Sequence, residues 1–489
     1  MTARSIRVVR RPEQLLADDR RVILRYLDFV HPPRIRSIVR RVLRISERDV
    51  PGELAKITRR FATRHRDLAA TFRDNGMEAL RHVRQTDAIT EARTLLLGAY
   101  FTMEYSIEAA ALFNPSMVPH PDQGGLAAGS VRFLMSLRAT GEGHVSSIVF
   151  RRGVIDNAGR FAFDPPPRFA YTARPVPDRT LAKEPFLRKL RDHGLSDKPV
   201  LKVLAELPDP FTASQLKDVL RSVRRTGRVG AGLKRLSQTM LWMASANYEL
   251  SFPADCLPSE TVIFPATPHE ARGMEDVRMV RFEDDDGRVR YYGTYTAFDG
   301  FQVCPMLLQT SDFGTFHVST LSGRYARNKG MALFPRKIDG HYVMLSRHDG
   351  ENLHLLCSRD LHIWNTSTKL QAPRERWELV QVGNCGSPLE TEAGWLVLTH
   401  GVGPLRQYCI GAVLLDLRDP ARVLGRLRRP LLVPTAAERE GYVPNVVYSC
   451  GSMIHRGRLI IPYAMSDSRT AFATVLLRTL VNRLLHAGP

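Results

Sequence analysis

A glycine followed closely by an aromatic or aliphatic strand recurs through the second half of this 489-residue chain. These glycines lie 53, 54 and 63 residues apart, at Gly287, Gly340, Gly394 and Gly457. A period near 50 with several short strands per unit is typical of a β-propeller. Strand-like segments at 131–137 and 145–150 add one more unit. The spacing therefore predicts a mainly β chain with a five-bladed β-propeller, and a stacked β-sandwich is the alternative.

Two stretches outside this repeat have helical periodicity. In 1–111 apolar side chains recur near every 3.6 positions, for example at 22–27 and 35–43, and 86–111 has the pattern of one long helix. In 155–250 three helices are predicted, at 181–193, 199–207 and 212–225, the last capped by Thr212 or Ser214. The predicted domains are a helical N-terminal region (1–111), a first blade (112–154), a helical insertion (155–250) and the remaining propeller (251–489).

Several classes of protein are excluded by composition. No run approaches the roughly 20 apolar residues that a membrane-spanning helix needs. Residues 1–21 are basic, contain Pro12 and lack a continuous apolar segment, which argues against a signal peptide and predicts a cytoplasmic protein. The six cysteines form no Cys-x-x-Cys pair, so neither a zinc site nor a disulfide framework is indicated. We therefore expect no metal and no cofactor.

The formal net charge of +20 is concentrated in the two helical stretches. Residues 1–100 hold 22 Lys and Arg against 12 Asp and Glu, and residues 151–250 hold 19 against 10. The remainder is nearly neutral, so we do not expect a nucleic-acid partner. These basic stretches suit an acidic partner, an anionic membrane surface or phosphate-bearing substrates, or they form a solvated basic surface. A homo-oligomer is also possible.

The strongest chemical signal is the segment GMEDVR at 273–278, which precedes a strand rich in tyrosine and threonine at 291–297. Glu275 and Asp276 are adjacent carboxylates beside Arg278, an arrangement that can hold a carboxyl group at an unusual pKa. Tyrosine-rich strands offer flat faces and hydroxyls that suit sugars. Carboxylates with aromatic side chains are typical of glycosidic-bond chemistry. The simpler interpretation is an ion pair at a loop.

A series of segments resembles glycoside hydrolase family 130, the β-mannoside phosphorylases and β-mannosidases. The resemblance covers about 112–150 and 260–470, and its order and spacing make it specific. The matching segments are FNPS (113–116), GMEDVR (273–278), YTAFDG (295–300), KGMALFP (329–335), ETEAGW (390–395), HGV (400–402), LLD (414–416) and EREGYVPNVV (438–447). The helical stretches lie outside the usual family core.

This resemblance implies a five-bladed propeller with inverting chemistry, and for Asp276 the role of general acid. In the family that aspartate works through a sugar hydroxyl. We expect Glu275 to raise the pKa of Asp276 and Arg278 to orient it. The family motif has proline where this chain has Val277, a difference in backbone stiffness that leaves the acid in place.

Two nucleophiles are compatible with inversion, and the residues point to both. Phosphate needs basic and polar donors, for which the candidates are Arg138, Arg327, Asn328, Lys329, Arg347, His348 and His400. Water needs a carboxylate base, for which Glu390 is the first candidate and Glu438 or Glu440 the second. Further substrate contacts are expected from Asn114, Ser116, Glu275, Arg278, Tyr295, Asp299, Glu440, Asn445 and Asp467. Each of these side chains has a simpler alternative as a surface charge, a turn residue or part of the core.

The resemblance thus implies an enzyme acting on β-linked mannosides, with β-1,2 as the expected linkage. The first hypothesis is inverting phosphorolysis with inorganic phosphate as co-substrate, and the second is inverting hydrolysis. A mannosyltransferase on the same scaffold is the third. The hypothesis of another class is a glycan-binding propeller without catalysis.

Overall fold

The computed structural model describes residues 6–29, 31–83, 88–173, 175–176, 180–192, 194–195, 197–225 and 233–489. Within these residues the chain is mainly β, with helices near the N-terminus, between 183 and 245 and at the C-terminal end. No helix of this described part is long and apolar enough to span a membrane. Residues 1–5, 86–87 and 193, which fall in predicted N-terminal and helical segments, lie outside the described residues.

The N-terminal part mixes strands with helices. Its elements are β1 (Val8–Leu15), β2 (Val22–Tyr26), α1 (Pro32–Leu43), α2 (Val50–Phe61), α3 (Leu68–Leu80), α4 (Glu91–Tyr100) and β3 (Thr102–Ser106). The helix predicted over 22–27 is wrong, since this segment is β2 and pairs antiparallel with β3. For the same reason the long helix predicted over 86–111 ends at Tyr100. Periodicity cannot assign a short apolar run, and here the strand partner decides.

The first β-meander precedes the insertion. It contains β4 (Ala111–Pro119), β5 (Val131–Thr140), β6 (Ser146–Ile155) and β7 (Phe161–Phe163). The next elements are β8 (Tyr171–Thr172), β9 (Pro175–Val176), α5 (Lys183–Asp192), α6 (Asp197–Ala205), α7 (Ala213–Arg225), α8 (Leu233–Ser245), β10 (Tyr248–Ser251) and β11 (Thr261–Ile263). The three predicted insertion helices are confirmed as α5, α6 and α7. The Gln215 N–H donates to Thr212 Oγ1 at 3.2 Å, so Thr212 caps α7.

Four further antiparallel meanders complete the chain. The second is β12 (Gly273–Glu283), β13 (Val289–Phe298), β14 (Val303–Thr310) and β15 (Thr315–Thr320), and the third is β16 (Lys329–Leu333), β17 (Tyr342–Arg347), β18 (Leu353–Ser358) and β19 (Thr366–Gln371). The fourth is β20 (Gln381–Asn384), β21 (Leu389–Thr391), β22 (Gly394–Val402), β23 (Tyr408–Leu415) and β24 (Val423–Arg426). The fifth is β25 (Val447–Tyr448), β26 (Met453–His455), β27 (Arg458–Met465) and β28 (Arg469–Leu476), followed by α9 (Leu477–Ala487).

Strands from outside the meanders extend two of them. The first strand of the chain, β1, pairs with β28 and so becomes the outer strand of the fifth meander. The prediction that 1–111 is helical is therefore wrong for this strand too. At the end of the insertion, β10 pairs with β15 of the second meander. The first and second meanders share one sheet through a single bridge between Ser146 and Gly273. The domain boundaries proposed from sequence stay a prediction.

The hydrophobic core lies between neighbouring meanders. One cluster joins the first and second meanders, and others join the second to the third, the third to the fourth and the fourth to the fifth. A further cluster, containing Phe133 and Phe472, joins the fifth meander back to the first. Aliphatic side chains fill most of these joints, and aromatic pairs add to them, as where Phe334 meets Trp395 edge-on at 5.2 Å between ring centroids. The sheets therefore pack face to face in chain order.

The recurring glycines mark the start of one strand in each later meander. Gly287, Gly340 and Gly457 have φ values of 76°, 71° and 70°. In this left-handed region a side chain is costly and glycine is not. Each turn delivers the chain into β13, β17 or β27, while Gly394 is itself the first residue of β22. The glycine–strand repeat read from the sequence is confirmed at these four positions.

A buried charge cluster fastens the N-terminal part to the first meander. The carboxylate of Glu108, whose side chain is inaccessible to solvent, lies 3.1 Å from Arg21 Nε and 2.7 Å from Arg151 Nη2. Arg21 also donates to the main-chain oxygen of Ser259 at 3.2 Å. Two guanidinium groups thus depend on one carboxylate, and removing one partner of a buried ion pair leaves an uncompensated charge.

Replacing Glu108 with alanine is expected to lower the free energy of unfolding by about 3–5 kcal/mol, because buried Arg21 and half-buried Arg151 lose their shared partner. Differential scanning calorimetry should show a clear fall in the unfolding temperature. Glu78→Ala is the matched control, since it breaks an exposed ion pair with Arg81 and should change stability by less than about 1 kcal/mol. Equal unfolding temperatures for the two variants would contradict this role of Glu108.

Candidate active site

The topology brings one end of several meanders together around polar residues. In an antiparallel meander the start of the first strand and the turn between the second and third strands lie at the same end. Asn114, Asp276 and Lys329 lie near the starts of β4, β12 and β16. In the fifth meander β25 and β26 both pair with β27 and together form its first strand, so Asp467, between β27 and β28, lies in the turn between the second and third strands. Residues far apart in sequence therefore lie close together at this end.

Bulges in the first strands aim these side chains. Asn114, Asp276 and Asn328 have left-handed backbones, with φ values of 50°, 57° and 63°. Strand pairing shifts register at or beside each residue, between Phe113 and Ser116, between Glu275 and Arg278, and between Lys329 and Ala332. Asn and Asp tolerate this conformation better than other side chains. Such bulges turn side chains out of the ladder and concentrate at functional sites.

Asp276 lies among hydrogen-bond donors. Asn114 Nδ2 donates to Asp276 Oδ1 at 2.7 Å, and Arg138 Nη1 lies 3.5 Å from the same oxygen. Burial alone would raise the pKa of Asp276. The charges of Arg138, Arg278 and Lys329, with the Asn114 hydrogen bond, outweigh burial and hold its pKa below the ordinary value. With nothing else bound, Asp276 is a carboxylate at neutral pH.

Glu275 connects two cations from different meanders. Its carboxylate accepts from Arg138 Nη2 at 2.9 Å and from Lys329 Nζ at 2.5 Å. Arg138 belongs to the first meander and Lys329 to the third, so Glu275 on the second holds both. The expected raising of the Asp276 pKa by Glu275 is overturned here, because the cations that Glu275 gathers dominate the field at Asp276.

Arg278 supports the main chain of Asp276. Its Nη1 donates to the Asp276 carbonyl oxygen at 2.9 Å, its Nε to Asn384 Oδ1 at 3.2 Å and its Nη2 to the Tyr448 hydroxyl at 2.6 Å. Asn384 and Tyr448 were missed from sequence. The signal for Asn384 is a polar residue in a strand between Gly383 and Gly386, whereas Tyr448 carries no such signal.

His400 is a neutral side chain that orients Arg347. Its Nδ1 lies 3.0 Å from the Asn384 carbonyl, which can only accept, so Nδ1 carries the proton. Burial, followed by the charge of Arg347, lowers the pKa of His400 well below its ordinary value. The unprotonated Nε2 therefore accepts from Arg347 Nη1 at 3.3 Å. Arg347 itself lies directly across from Lys329 in the β16–β17 ladder.

Positive charge exceeds negative charge in this group. Arg138, Arg278, Lys329 and Arg347 carry four positive charges, and Glu275 and Asp276 carry two negative ones, which leaves two positive charges. Guanidinium and ammonium groups in excess suit a multiply charged anion. The name Asp276 cluster is used below for Asn114, Arg138, Glu275, Asp276, Arg278, Lys329, Arg347, Asn384 and His400.

Asp467 faces the Asp276 cluster as a third carboxyl. Burial, and after it the negative charge of Asp276, raises the pKa of Asp467 to about 7. The positive charges of Arg138 and Arg406 act in the opposite direction. Near neutral pH this side chain is therefore partly protonated and can both donate and accept hydrogen bonds, as a sugar hydroxyl requires.

Two of the three candidate bases are held by other side chains. Glu390 is 43% exposed and forms a bidentate ion pair with Arg336 at 2.8 and 2.9 Å. It pairs with Trp395 on β22, five residues before His400, a separation of about 17 Å along a strand. Glu438 is buried, and its carboxylate accepts from Arg10 at 2.9 Å and Tyr463 at 2.6 Å, while Glu440 is exposed.

Other predicted contacts take structural positions. Ser116 Oγ accepts from the Met279 N–H at 2.9 Å, and the Tyr295 hydroxyl donates to buried Glu270 at 2.7 Å. His348 Nε2 lies 2.9 Å from Ser367 Oγ. The Asn445 carbonyl accepts from the Tyr408 N–H at 3.0 Å. These contacts tie Ser116, Tyr295 and His348 through their side chains, and Asn445 through its main chain, to their own or neighbouring sheets.

Arg327 and Asp299 line a separate cavity beside the Asp276 cluster. Arg327 is exposed, two residues before Lys329. Asp299 Oδ1 accepts from the N–H groups of Phe301 and Gln302, both at 2.7 Å, in the turn after β13. The two cations of the segment 327–329 therefore lie in different places. Lys329 belongs to the Asp276 cluster, whereas Arg327 lines the cavity.

The sequence comparisons agree on one family. The model of glycoside hydrolase family 130, described as beta-1,4-mannooligosaccharide phosphorylase, matches residues 255–485. A 1,2-beta-oligomannan phosphorylase of Thermoanaerobacter sp. is 35% identical over 221 residues, which are 44% of this chain and 72% of that protein. A beta-1,2-mannobiose phosphorylase of Listeria innocua is 30% identical over 236 residues, 47% of this chain and 64% of that protein. The solved structure of a Listeria innocua beta-1,2-mannobiose phosphorylase aligns with a TM-score of 0.46 and 21% identity, over 77% of this chain and 92% of that one.

The raised pKa of Asp467 predicts a pH-dependent stability. Between about pH 4 and 7 the folded protein binds a proton at Asp467 that the unfolded chain has released, so this group makes the protein less stable as pH rises to about 7. Asp467→Asn removes the effect. The unfolding temperature of the variant, relative to wild type, should therefore increase from pH 4 to pH 7, as measured by calorimetry.

Asp416→Asn is the control of opposite sign. Main-chain N–H groups, first that of Asp419, lower the pKa of Asp416, so its contribution is lost as pH falls. Relative to wild type, this variant should gain stability toward pH 3. An Asp467→Asn difference that is constant with pH would contradict the protonated state of Asp467.

Proposed function

Because this chain belongs to glycoside hydrolase family 130, we propose that it cleaves β-mannosidic bonds by inverting phosphorolysis. Its relatives include proteins named 1,2-beta-oligomannan phosphorylase and beta-1,2-mannobiose phosphorylase. The observation that carries the proposal is the excess of positive charge beside Asp276, where four cations face Glu275, Asp276 and a partly ionised Asp467. A phosphate dianion matches that excess. The β-1,2 linkage is proposed from the relatives alone, since the matching family model is described by a β-1,4 activity.

Phosphate is proposed to bind between Lys329, Arg347 and Arg138. Lys329 and Arg347 are direct neighbours across two strands, and Arg138 is brought to Lys329 by the Glu275 carboxylate. Charge-assisted hydrogen bonds from several such groups hold an anion strongly in a site with little water. His400 accepts a hydrogen bond from Arg347. The proposed role of His400 is therefore to orient Arg347 toward the bound phosphate.

The proposed reaction forms one bond at C1, breaks one bond at C1 and moves one proton. An oxygen of HPO₄²⁻ attacks C1 of the β-mannoside from the face opposite the leaving group, and the C1–O bond to the leaving sugar breaks. The protonated Asp276 delivers a proton toward the leaving oxygen, through the sugar hydroxyl that the family resemblance implies. The products are α-mannose 1-phosphate and the shortened sugar. The proton carried by the attacking phosphate then restores the Asp276 carboxyl group.

Phosphate binding also accounts for the protonation of Asp276. In the free cluster the cations hold the pKa of Asp276 below its ordinary value. A bound dianion offsets those charges and raises the pKa, because like charge disfavours the carboxylate. Asp276 is therefore protonated once phosphate, the nucleophile, has bound. In the reverse direction the carboxylate of Asp276 acts as the base. The same site would then transfer a mannosyl group from α-mannose 1-phosphate to an acceptor sugar.

Hydrolysis receives less support from the geometry. An inverting hydrolase needs a base that activates water across the sugar from the acid. The carboxylate of Glu390 is paired with Arg336, and that of Glu438 with Arg10 and Tyr463. Neither geometry presents a free carboxylate to the Asp276 cluster. Phosphate as the nucleophile needs no such base.

We also propose that the five meanders close into a five-bladed propeller around the Asp276 cluster. Support comes from the sequence of contacts, in which each meander packs on the next and the fifth packs on the first. Ser116 of the first meander bridges to Gly451 of the fifth in parallel fashion. A crystal structure in which β4 and β25 were separated would contradict this closure.

The central prediction concerns phosphate dependence. Purified protein given β-1,2-mannobiose should release mannose and mannose 1-phosphate only when inorganic phosphate is present, because phosphate is the nucleophile. Anion-exchange chromatography of the products measures both. Asp276→Asn keeps the shape but cannot donate the proton, so kcat should fall by about 10²–10⁴-fold. Mannose release without phosphate, abolished in Glu390→Gln, would support hydrolysis instead.

The proposed phosphate site gives a second prediction. Lys329→Met should raise the KM for phosphate by about 10–100-fold, because one charge-assisted contact worth about 1.5–3 kcal/mol is removed. The KM for the sugar should change much less. Lys337→Met is the matched control, since Lys337 pairs with Asp284 at 2.7 Å on the lining of another cavity. Equal effects of the two variants on the KM for phosphate would overturn the assignment of Lys329.

A further inference from the structure

A cavity of about 500 Å³ lies between helix α8 of the insertion and the second and third meanders. Its walls include Gln238 and Trp242 from α8, Asp299 and Gln302 from the turn after β13, and Arg327 from the segment before β16. This volume lies within the range of about 300–1,000 Å³ that is common for small-molecule sites. The insertion supplies one complete wall, so the cavity does not depend on the meanders alone.

The chemistry of the lining suits a neutral polyhydroxylated ligand. Trp242 is half-buried and offers an aromatic surface, with the buried His269 ring edge-on to it at 4.0 Å between centroids. Two arginines, Arg235 and Arg327, are balanced by two aspartates, Asp192 and Asp299. An anion site would carry an excess of positive charge, as the Asp276 cluster does. Aromatic surface with balanced polar groups is instead the pattern that grips sugars.

Strand pairing connects this cavity to the Asp276 cluster. Pro305 on the cavity wall pairs with Thr296, and Thr296 pairs with Glu275. Two strand spacings amount to about 10 Å. From the other side, Arg327 is two residues from Lys329, whose Nζ contacts Glu275 at 2.5 Å. The wall of the cavity therefore lies next to the Asp276 cluster.

We propose that α8 and the turn after β13 form a distal subsite for sugar units beyond the bond that is cleaved. The ligand class is the uncharged, β-linked mannosyl chain attached to the leaving side of that bond. The inference rests on the proposed function, because the cavity is assigned to the same substrate. It gives the helical insertion a role in selecting oligosaccharides over disaccharides.

Binding at a distance from the reacting bond improves kcat/KM for longer substrates only. A disaccharide fills the cluster and leaves the cavity empty, whereas each added unit gains contacts with Gln238 and Trp242. The wild-type protein should consequently show a higher kcat/KM with mannotetraose than with mannobiose. One good contact of about 1.4 kcal/mol corresponds to a tenfold difference.

The test uses full-length variants of α8. Trp242→Ala and Gln238→Ala are expected to lower kcat/KM for β-1,2-mannotetraose by about tenfold while leaving mannobiose within about twofold. Alanine suits a helix interior, and exposed Gln238 keeps the test valid if Trp242→Ala fails to fold. Lys234→Ala is the matched control, because Lys234 is exposed on the same helix and is not part of the cavity lining. Equal losses on both substrates, or no loss on either, would overturn the distal subsite.

A binding measurement separates this inference from the proposed function. Isothermal titration calorimetry of wild type and Gln238→Ala with mannotetraose and with mannobiose does not require turnover. Weaker binding of the tetraose alone in the variant would support the subsite even if no phosphorolysis occurs. Phosphorolysis of both sugars with equal affinities in the two proteins would leave the proposed function in place and refute the subsite.

Discussion

The carboxylate of Glu275 is the contact on which the candidate site depends. It accepts from Arg138 of the first meander and from Lys329 of the third, while its own strand carries Asp276. Without this anion, two cations from different sheets would face each other across the site. The carboxylate of Asp276 lies in the electric field of these cations, which explains why its pKa is lowered although burial alone would raise it. An anion that binds these cations would reverse that shift.

Backbone strain is the second constraint. Asn114, Asp276 and Asn328 each occupy a left-handed conformation at a bulge, and each lies near the start of a first strand. A regular strand would alternate these side chains between faces of its sheet. At each bulge the register shifts, so these three side chains do not follow the alternation between the two faces of the sheet. The buried contacts of Arg278 with the Asp276 carbonyl, Asn384 and Tyr448 hold the bulged segment in place.

The sequence identified the motif around Asp276 because local features suffice to recognise it. It also predicted the glycine–strand repeat and three of the insertion helices, which follow from turn chemistry and periodicity. It misassigned 22–27 as a helix, since a short apolar run reads the same in helix and strand until its partner is known. Glu390 was a candidate base because of its position in the family resemblance. Its motif is local, whereas its separation from His400 follows from the length of β22.

What the sequence by itself determined is the set of chemical groups, the turn positions and the family of the chain. Tertiary structure decided which groups meet. Arg327 and Lys329 are two residues apart, yet one lines the cavity beside α8 and the other contacts Glu275. Asp276 and Asp467 are 191 residues apart, yet the charge of one helps to raise the pKa of the other. Electrostatic fields and desolvation act through space, so protonation states follow from the packed arrangement and not from chain order.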